Sequence, residues 1–434
     1  MARWKQSRTL SRQRAREGAA SHRDVVVGGT GPGDAERVNA FFVLAHRWTG
    51  LVTLLFLVIA SATGIPLVFS HELDALLTPE LHRAPDRGQP PPAPEIIARL
   101  QRDHPEFQVT AFPLAGAPGR AIEAKVASWP GAPPLDFDQA FVDPYTGAVI
   151  GVRADRPGLD RVHLMRGVYF LHFTLLGGDA GRWFMGVVAI AWTLNNVVGF
   201  YLTLPSRRPF WKRWKPLWTV SLRASLPRVL LDLHRASGLW LFVGVLLLAL
   251  TSAALNFYSE AFQPLVVSLS PPKTAPWDRR APPRDPAYRP GLSFAGAEGL
   301  AVAAARRDGL TLKTAVETYD AGLRLFGVRF SGDGRETYAG LGLVTYYVDD
   351  RNGRLVFVDN PLTDSAGQKT LRALYPLHSG QVAGLATRLF VGLLGVSVLE
   401  MSITGLIVWW KKRKPRVAAK LARRRPQLSQ AAGE

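Results

Sequence analysis

Four apolar stretches approach or exceed the ~20 residues needed to cross the hydrocarbon core of a bilayer. They cover residues 41–70, 183–204, 239–257 and 389–410. They predict four transmembrane helices and so an integral membrane protein. The first is too long for a signal peptide and no small-residue cleavage site follows it. Between spans one and two the pattern changes. After a Pro-rich linker at 85–94, residues 95–104 have helical spacing, and alternating segments run to Ala140-Phe141-Val142-Asp143. The run Asp143-Pro144-Tyr145-Thr146-Gly147 predicts a tight turn into a further strand. The loop between spans three and four repeats the plan. It has a Pro-rich linker (271–290), a helix (295–307), a strand (323–330), and a hairpin of 345–348 and 355–358 about the turn 349–353. Each loop is expected to form a small α+β module able to cover a site at the membrane face. Residues 163–173 read as an interfacial helix that breaks at Gly177, Gly178 and Gly181 before span two.

The two halves match in register. His46-Arg47-Trp48-Thr49-Gly50-Leu51 opens span one, and His234-Arg235-Ala236-Ser237-Gly238-Leu239 opens span three 188 residues later. Leu171-His172 precedes Gly178, Arg182 and Gly186 by the offsets at which Leu377-His378 precedes Gly384, Arg388 and Gly392. Asp143 and Asp349 each lie 29 residues before the histidines of those segments. Glu72 and Glu260 each follow the first histidine of their half by 26 residues, whereas His71 is matched by Ser259. Register kept over so many positions points to an internal duplication.

The formal charge of +19 is distributed by topology. Residues 1–47 carry nine Lys/Arg against four Asp/Glu, 205–235 eight against one, and 411–434 nine against one. These segments are assigned to the cytoplasm, which leaves both long loops outside, in the periplasm of a bacterium. The high pI is therefore a topology signal with an affinity for anionic membrane lipids, and no nucleic-acid partner is implied. The resulting organisation is a disordered basic tail (1–38), span one (39–71), a first outer module (72–161), an interfacial helix with span two (162–205), and a basic cytoplasmic loop (206–230). Span three (231–259), a second outer module (260–374), span four (375–411) and a basic tail (412–434) follow.

With no cysteine in the chain, disulfides, thiolate-ligated metals and covalent haem attachment are excluded. Nitrogen and oxygen ligands remain. The topology sorts four of the nine histidines into two layers: His46 and His234 near the inner face, His172 and His378 near the outer face. Paired imidazoles across a helical bundle can fill both axial positions of a haem iron, and two such sites would make an electron path across the membrane. Arg47, Arg235, Arg182 and Arg388 lie near the two levels as candidate propionate partners or as plain headgroup anchors. His71 and His163 are alternates at the outer layer, as ligand, substrate contact or proton carrier. His22, His82 and His104 sit in polar context and read as incidental. Asn195-Asn196 in mid-span reads as interhelical hydrogen bonding, and Glu400 as a haem or helix contact.

Several of these segments resemble the PepSY-associated transmembrane family. They are the His-Arg-x-x-Gly-Leu starts, the Val-Asp-Pro-Tyr-Thr-Gly turn, the Leu-His-x-x-Leu-x-Gly-x-x-Gly-Arg segment, and the Leu-His-Ser-Gly segment with its Trp-Trp-Lys-Lys-Arg-Lys exit. The resemblance covers about residues 40–414 and departs from the pattern at Asp349-Asp350-Arg351-Asn352-Gly353. It implies an α-helical membrane protein with a four-helix bundle, two periplasmic α+β PepSY-like modules and two b-type haems. It also implies an inner-membrane activity reducing a ferric siderophore or other Fe(III) chelate to Fe(II). On that resemblance His46, His172, His234 and His378 are the axial ligands. The electron donor, quinol or a cytoplasmic reductase, is not encoded: no Gly-rich dinucleotide fingerprint sits between a strand and a helix, and the run at 28–33 lacks those flanks. The competing expectation is a membrane-anchored peptide- or protein-binding regulator without redox activity. A proton-coupled carrier is disfavoured by the lack of acidic residues in mid-span other than Glu400. Trp129, Tyr145, Tyr346 and Arg351 are candidate chelate contacts in the loops, with hairpin packing as the alternative.

Overall fold

The computed structural model describes residues 34–273, 275, 288–336 and 340–431, with side chains from 37 to 413. The tail at 1–33 with His22 and the Gly-rich run, and much of the 271–290 linker, lie outside the described residues. Two compact units make up the chain, Met1–Trp48 and Thr49–Glu434. In the first, the described residues form the opening of helix α1 (Asp34–Leu67), where Phe41, Leu44 and Trp48 are exposed.

Three helices among the described residues are long and apolar enough to cross a membrane: Arg37–Leu67 within α1, α5 (Gly178–Tyr201), and Leu385–Arg413 within α11 (Leu385–Ala431). Beyond the short helix α6 (Phe210–Trp214), a fourth span exists if α7 (Leu226–Trp240) and α8 (Phe242–Asn256) are one crossing, for they meet at Leu241 with a bend of 72°. Within 231–259, expected as span three, the helix is interrupted by this bend. Ser237-Gly238 just before the bend is the kind of pair at which helices kink. The basic segment expected as a tail after residue 411 continues α11 as helix to Ala431.

Within the second unit the helices pack through small residues. A Cβ on Gly395 of α11 would lie 2.9 Å from Ile65 of α1, and one on Gly244 of α8 would lie 2.8 Å from Leu394 of α11. Trp192, Val245, Ala249, Leu394 and Val398 form the buried centre, with Leu57, Leu248 and Met401 against it. Hydroxyls in the apolar helices are satisfied on their own backbone. Thr53 donates to the Thr49 carbonyl at 2.9 Å, and Thr193 to that of Ala189 at 2.8 Å.

The two long segments between the apolar helices form one eight-stranded sheet. Helix α2 (Ser70–Leu77) leaves span one. Helix α3 (Ala93–Asp103) and strands β1 (Phe107–Pro113), β2 (Ile122–Ser128), β3 (Gln139–Val142) and β4 (Val149–Arg153) follow. Beyond α8, helix α9 (Phe294–Arg307) precedes β5 (Lys313–Asp320), β6 (Leu325–Ser331), β7 (Val344–Asp349) and β8 (Leu355–Asp359). The order is β4-β3-β2-β1-β5-β6-β7-β8, antiparallel throughout, so the expected pair of separate modules is joined along β1 and β5. The seam pairs Ala111 with Thr318 and Phe112 with Glu317, a register that maps onto itself under the 206-residue offset.

Period-two patterning divides the faces. Ile122, Ala124 and Val126 of β2 join Phe107, Val109 and Phe112 of β1 beneath α3 and α9, which add Ile96, Ile97, Leu100, Ala297 and Ala301. Each fully buried Phe, Ile or Leu contributes roughly 1.5–3 kcal/mol to that core. Glu123 and Lys125 of β2 point to the other face. Both expected turns form. Asp143 accepts from the Tyr145 and Thr146 amides, at 2.8 and 3.2 Å, and Asp349 from the Arg351 amide at 3.0 Å. Gly147 and Gly353 close these turns with φ of 78° and 68°, a conformation that favours glycine. The divergent Asp350 of the second turn is fully buried and accepts from Tyr288 and Tyr319.

Candidate functional site

Helices α4 (Leu164–Thr174) and α10 (Ala366–Ser379) carry His172 and His378 in their last turns, each just before a helical span. Both helices end in left-handed backbone: Leu175 and Leu176 at φ 52° and 61°, Gly380 at 78°. Left-handed leucines are uncommon, and such strain persists where surrounding structure over-determines it. The two imidazoles face one another with ring centroids 6.2 Å apart and planes inclined at 55°. His172 Nδ1 lies 3.0 Å from the Ala60 carbonyl oxygen and 3.1 Å from Thr63 Oγ1 of α1. His378 Nδ1 lies 3.1 Å from Thr251 Oγ1 of α8. Gly64 makes room for the first ring: a Cβ there would stand 2.9 Å from His172 Cε1.

These rings open into a cavity of about 920 Å³ between the helices and the sheet face opposite α3 and α9. His71 and His163 also line it. The His163 Nδ1 and Asp160 carboxylate are 2.8 Å apart, and this contact holds Asp160 below the usual carboxylate range. The cationic side chains of the wall are each met by a carboxylate: Arg153 by Asp74 at 2.8 Å, Lys125 by Glu123 at 3.0 Å, Arg166 by Asp155 at 2.8 Å, and Arg388 by Glu72 at 2.7 Å. Fixed charge in the chamber is therefore locally balanced. Among the described residues no group of three or more His, Asp or Glu is arranged to hold a metal ion, and the imidazoles brought together at this cavity are those of His172 and His378.

The proposed propionate arginines have protein partners. Arg388 binds the Val68 carbonyl at 2.7 Å as well as Glu72, whose carboxyl it holds below the usual range. Arg182 binds Glu260 at 2.6 Å, the Asn256 carbonyl and Asp179. Each thus clamps the end of a span in the other half of the sequence. Arg235 pairs with Asp232, which is 2 % exposed and also holds Arg228, while the Arg235 Nε is buried without a partner. His234 has its Nδ1 3.0 Å from the Met401 carbonyl and 3.2 Å from Thr404 Oγ1. His46 and Arg47 lie on the opening turns of α1, in the first unit.

A family model described as the PepSY-associated TM region matches residues 43–412. The chain belongs to this family. The match spans both halves and every histidine named above as a ligand candidate. No curated protein matches the chain. The PepSY-associated chain is accordingly a membrane protein with helices and antiparallel α+β segments.

Some contacts were not visible to sequence reading. The hydroxyls of Thr63, Thr251 and Thr404 are one group. Their signal was a Thr followed by a small residue at matched places: Thr63-Gly64, Thr251-Ser252 and Thr404-Gly405. The cavity wall of Glu123, Lys125 and Arg153 is another, foreshadowed by the polar alternation of β2. The loop aromatics, by contrast, pack elsewhere. Tyr346 is buried on the α9 side and donates to Asp308, Trp129 is buried and donates to the Pro105 carbonyl, and Tyr145 donates to Asp86. Arg351 pairs with Asp349. None of the four lines the cavity, and hairpin packing accounts for them.

Proposed function

We propose that this chain is a haem b-containing electron-transfer protein of the bacterial inner membrane. It passes electrons outward to a ferric siderophore or other Fe(III) chelate and releases Fe(II). In this reading a duplicated unit forms a four-helix bundle with two periplasmic PepSY-like modules, both termini cytoplasmic, and a quinol or a cytoplasmic reductase supplies the electrons.

The observation that carries the reading is the outer histidine pair. Imidazoles sharing one metal through bonds of about 2.0–2.1 Å have ring centroids roughly 6 Å apart, and His172 and His378 stand at 6.2 Å. The residues present suit a haem: a nitrogen pair, a ring seat cleared by Gly64, and a cavity of about 920 Å³, at the large end of the size of small-molecule sites. When bound, the group supplies one-electron chemistry. His172 and His378 would hold it, α1 and α11 contribute to the cavity wall, and a chelate would approach in the chamber beneath the sheet. Electron transfer to a bound chelate is outer-sphere, so no acid, base or nucleophile is required of the chain. The paired wall charges offset one another, so the field they impose on the chamber is weak. On the sequence pattern the second haem falls to His46 and His234.

The test is to reduce the purified protein anaerobically, add ferric chelates with an Fe(II) trap, and follow haem reoxidation. Reoxidation accelerated by at least one chelate, with Fe(II) trapped in proportion, is expected. A colourless preparation from haem-replete cells, or reoxidation that no chelate accelerates, refutes the assignment.

A further inference from the structure

We propose that Thr63, Thr251 and Thr404 are positioning residues that each hold the Nδ1–H of a ligand histidine and so place the lone pair of the neutral ring on Nε2. The proposal rests on the haem reading above but is argued from a proton inventory. A carbonyl oxygen can only accept. The Ala60 carbonyl 3.0 Å from His172 Nδ1, and the Met401 carbonyl 3.0 Å from His234 Nδ1, therefore require a proton on each Nδ1.

The threonines supply the second half. A hydroxyl has one proton to give. Thr63 gives it to the Ile59 carbonyl at 2.6 Å, Thr251 to that of Leu247 at 2.9 Å, and Thr404 to that of Glu400 at 2.9 Å. Each Oγ1 thus meets its imidazole as an acceptor, at 3.1, 3.1 and 3.2 Å for His172, His378 and His234. By the same pattern His378, whose Nδ1 contact is Thr251 Oγ1, is assigned the same tautomer. A neutral imidazole protonated at Nδ1 has its lone pair on Nε2.

The arrangement recurs as one device. A carbonyl or a matching residue at position i is followed by threonine at i+3 and a small residue at i+4. The segments are Ala60-x-x-Thr63-Gly64, Leu248-x-x-Thr251-Ser252 and Met401-x-x-Thr404-Gly405. The small residue gives the ring its seat: a Cβ on Gly405 would stand 3.3 Å from His234 Cε1, as one on Gly64 would crowd His172. The matching segment of span two reads Asn195-x-x-Val198-Gly199, with valine in place of threonine. An acceptor on the second ring nitrogen fixes ligand orientation and raises ligand basicity, and its loss typically costs about 10–100-fold in metal affinity.

The test uses the full-length protein in detergent, with Thr63→Val, Thr251→Val and Thr404→Val, and Thr→Ser at each position. Haem-resolved electron paramagnetic resonance and haem transfer to an apo-haem acceptor are measured. Thr63→Val and Thr251→Val should perturb the same haem signal and Thr404→Val the other. The affected haem should be lost at least about tenfold faster, and each serine variant should stay near wild type. Wild-type haem signals unchanged in all three valine variants overturn the proposal while leaving the haem reading intact. A haem-free wild type refutes that reading instead. The inventory is then read by 15N resonance of the labelled histidines, where protonated Nδ1 on His172, His234 and His378 supports it and protonated Nε2 overturns it.

Discussion

Replacing Glu317 with glutamine should remove a pH-dependent weakness at the centre of the eight-stranded sheet. Glu317 pairs with Phe112 across the β1–β5 seam, is 1 % exposed, and neither carboxylate oxygen has a hydrogen-bond partner. Burial, and next the negative charge of Glu298, push its pKa from 4.5 up to about 9. The folded protein therefore keeps the proton that the unfolded chain releases above pH 4.5. Stability is greatest at low pH and falls as pH rises through the window between 4.5 and about 9. The slope there is about 1.36 kcal/mol per pH unit, so between pH 5.5 and 8 this one carboxyl takes away about 3 kcal/mol. Any folded value above 8 gives the same figure. Glutamine is isosteric and never ionises, so the variant lacks the slope. For a cooperative unit of 150–250 residues the difference amounts to roughly 6–12 °C. The assay is the apparent Tm of wild type and Glu317→Gln at matched scan rate in detergent, from pH 5.5 to 8. The curves should converge at the acid end and diverge toward pH 8, with the variant higher. Parallel curves would refute the reasoning, because they would mean that the carboxyl ionises alike in both states.

Removal of single histidines should act by layer. His172→Ala and His378→Ala should each lose the same haem, and His46→Ala and His234→Ala the other, counted by pyridine haemochrome. Loss through His71→Ala or His163→Ala with His172→Ala silent would transfer the outer site to the alternates. Topology is testable because the chain has no cysteine of its own. Single cysteines at Asp136 and Asp333 should react with an impermeant thiol reagent on spheroplasts and one at Ser206 should not, with the reverse pattern inverting the orientation.

Long-period features were legible in the sequence and contacts across the fold were not. The apolar runs gave three of the spans, and the Asp-to-Gly turns could be read because each needs an acceptor and a left-handed glycine at fixed spacing. The histidines stood out because imidazoles at matched helix ends are rare. The bend at Leu241 was hidden, since Ser237-Gly238 disturbs hydropathy no more than Thr49-Gly50 does in the unbroken α1. The seam was hidden too. Alternation in β1 and β5 reads the same for an edge strand as for a central one. Arg182 and Arg388 stood out by their matched offsets, but their partners, Glu260 and Glu72, come from the opposite half, and nothing local in the sequence pairs them. Thr63, Thr251 and Thr404 passed unnoticed because a hydroxyl that bonds its own helix is unremarkable in an apolar span.

The shared seam bears on how this protein can be taken apart. A segment ending after β4 leaves β1 as a bare border, with main-chain donors and acceptors along Ala111–Pro113 facing solvent, and a segment beginning at α9 does the same to β5. Unpaired borders of this kind recruit other chains. Fragments cut at the spans to obtain soluble material will therefore tend to form ribbons or self-paired dimers through the seam strand, and a soluble fragment faithful to the native roof must carry both halves on one tether.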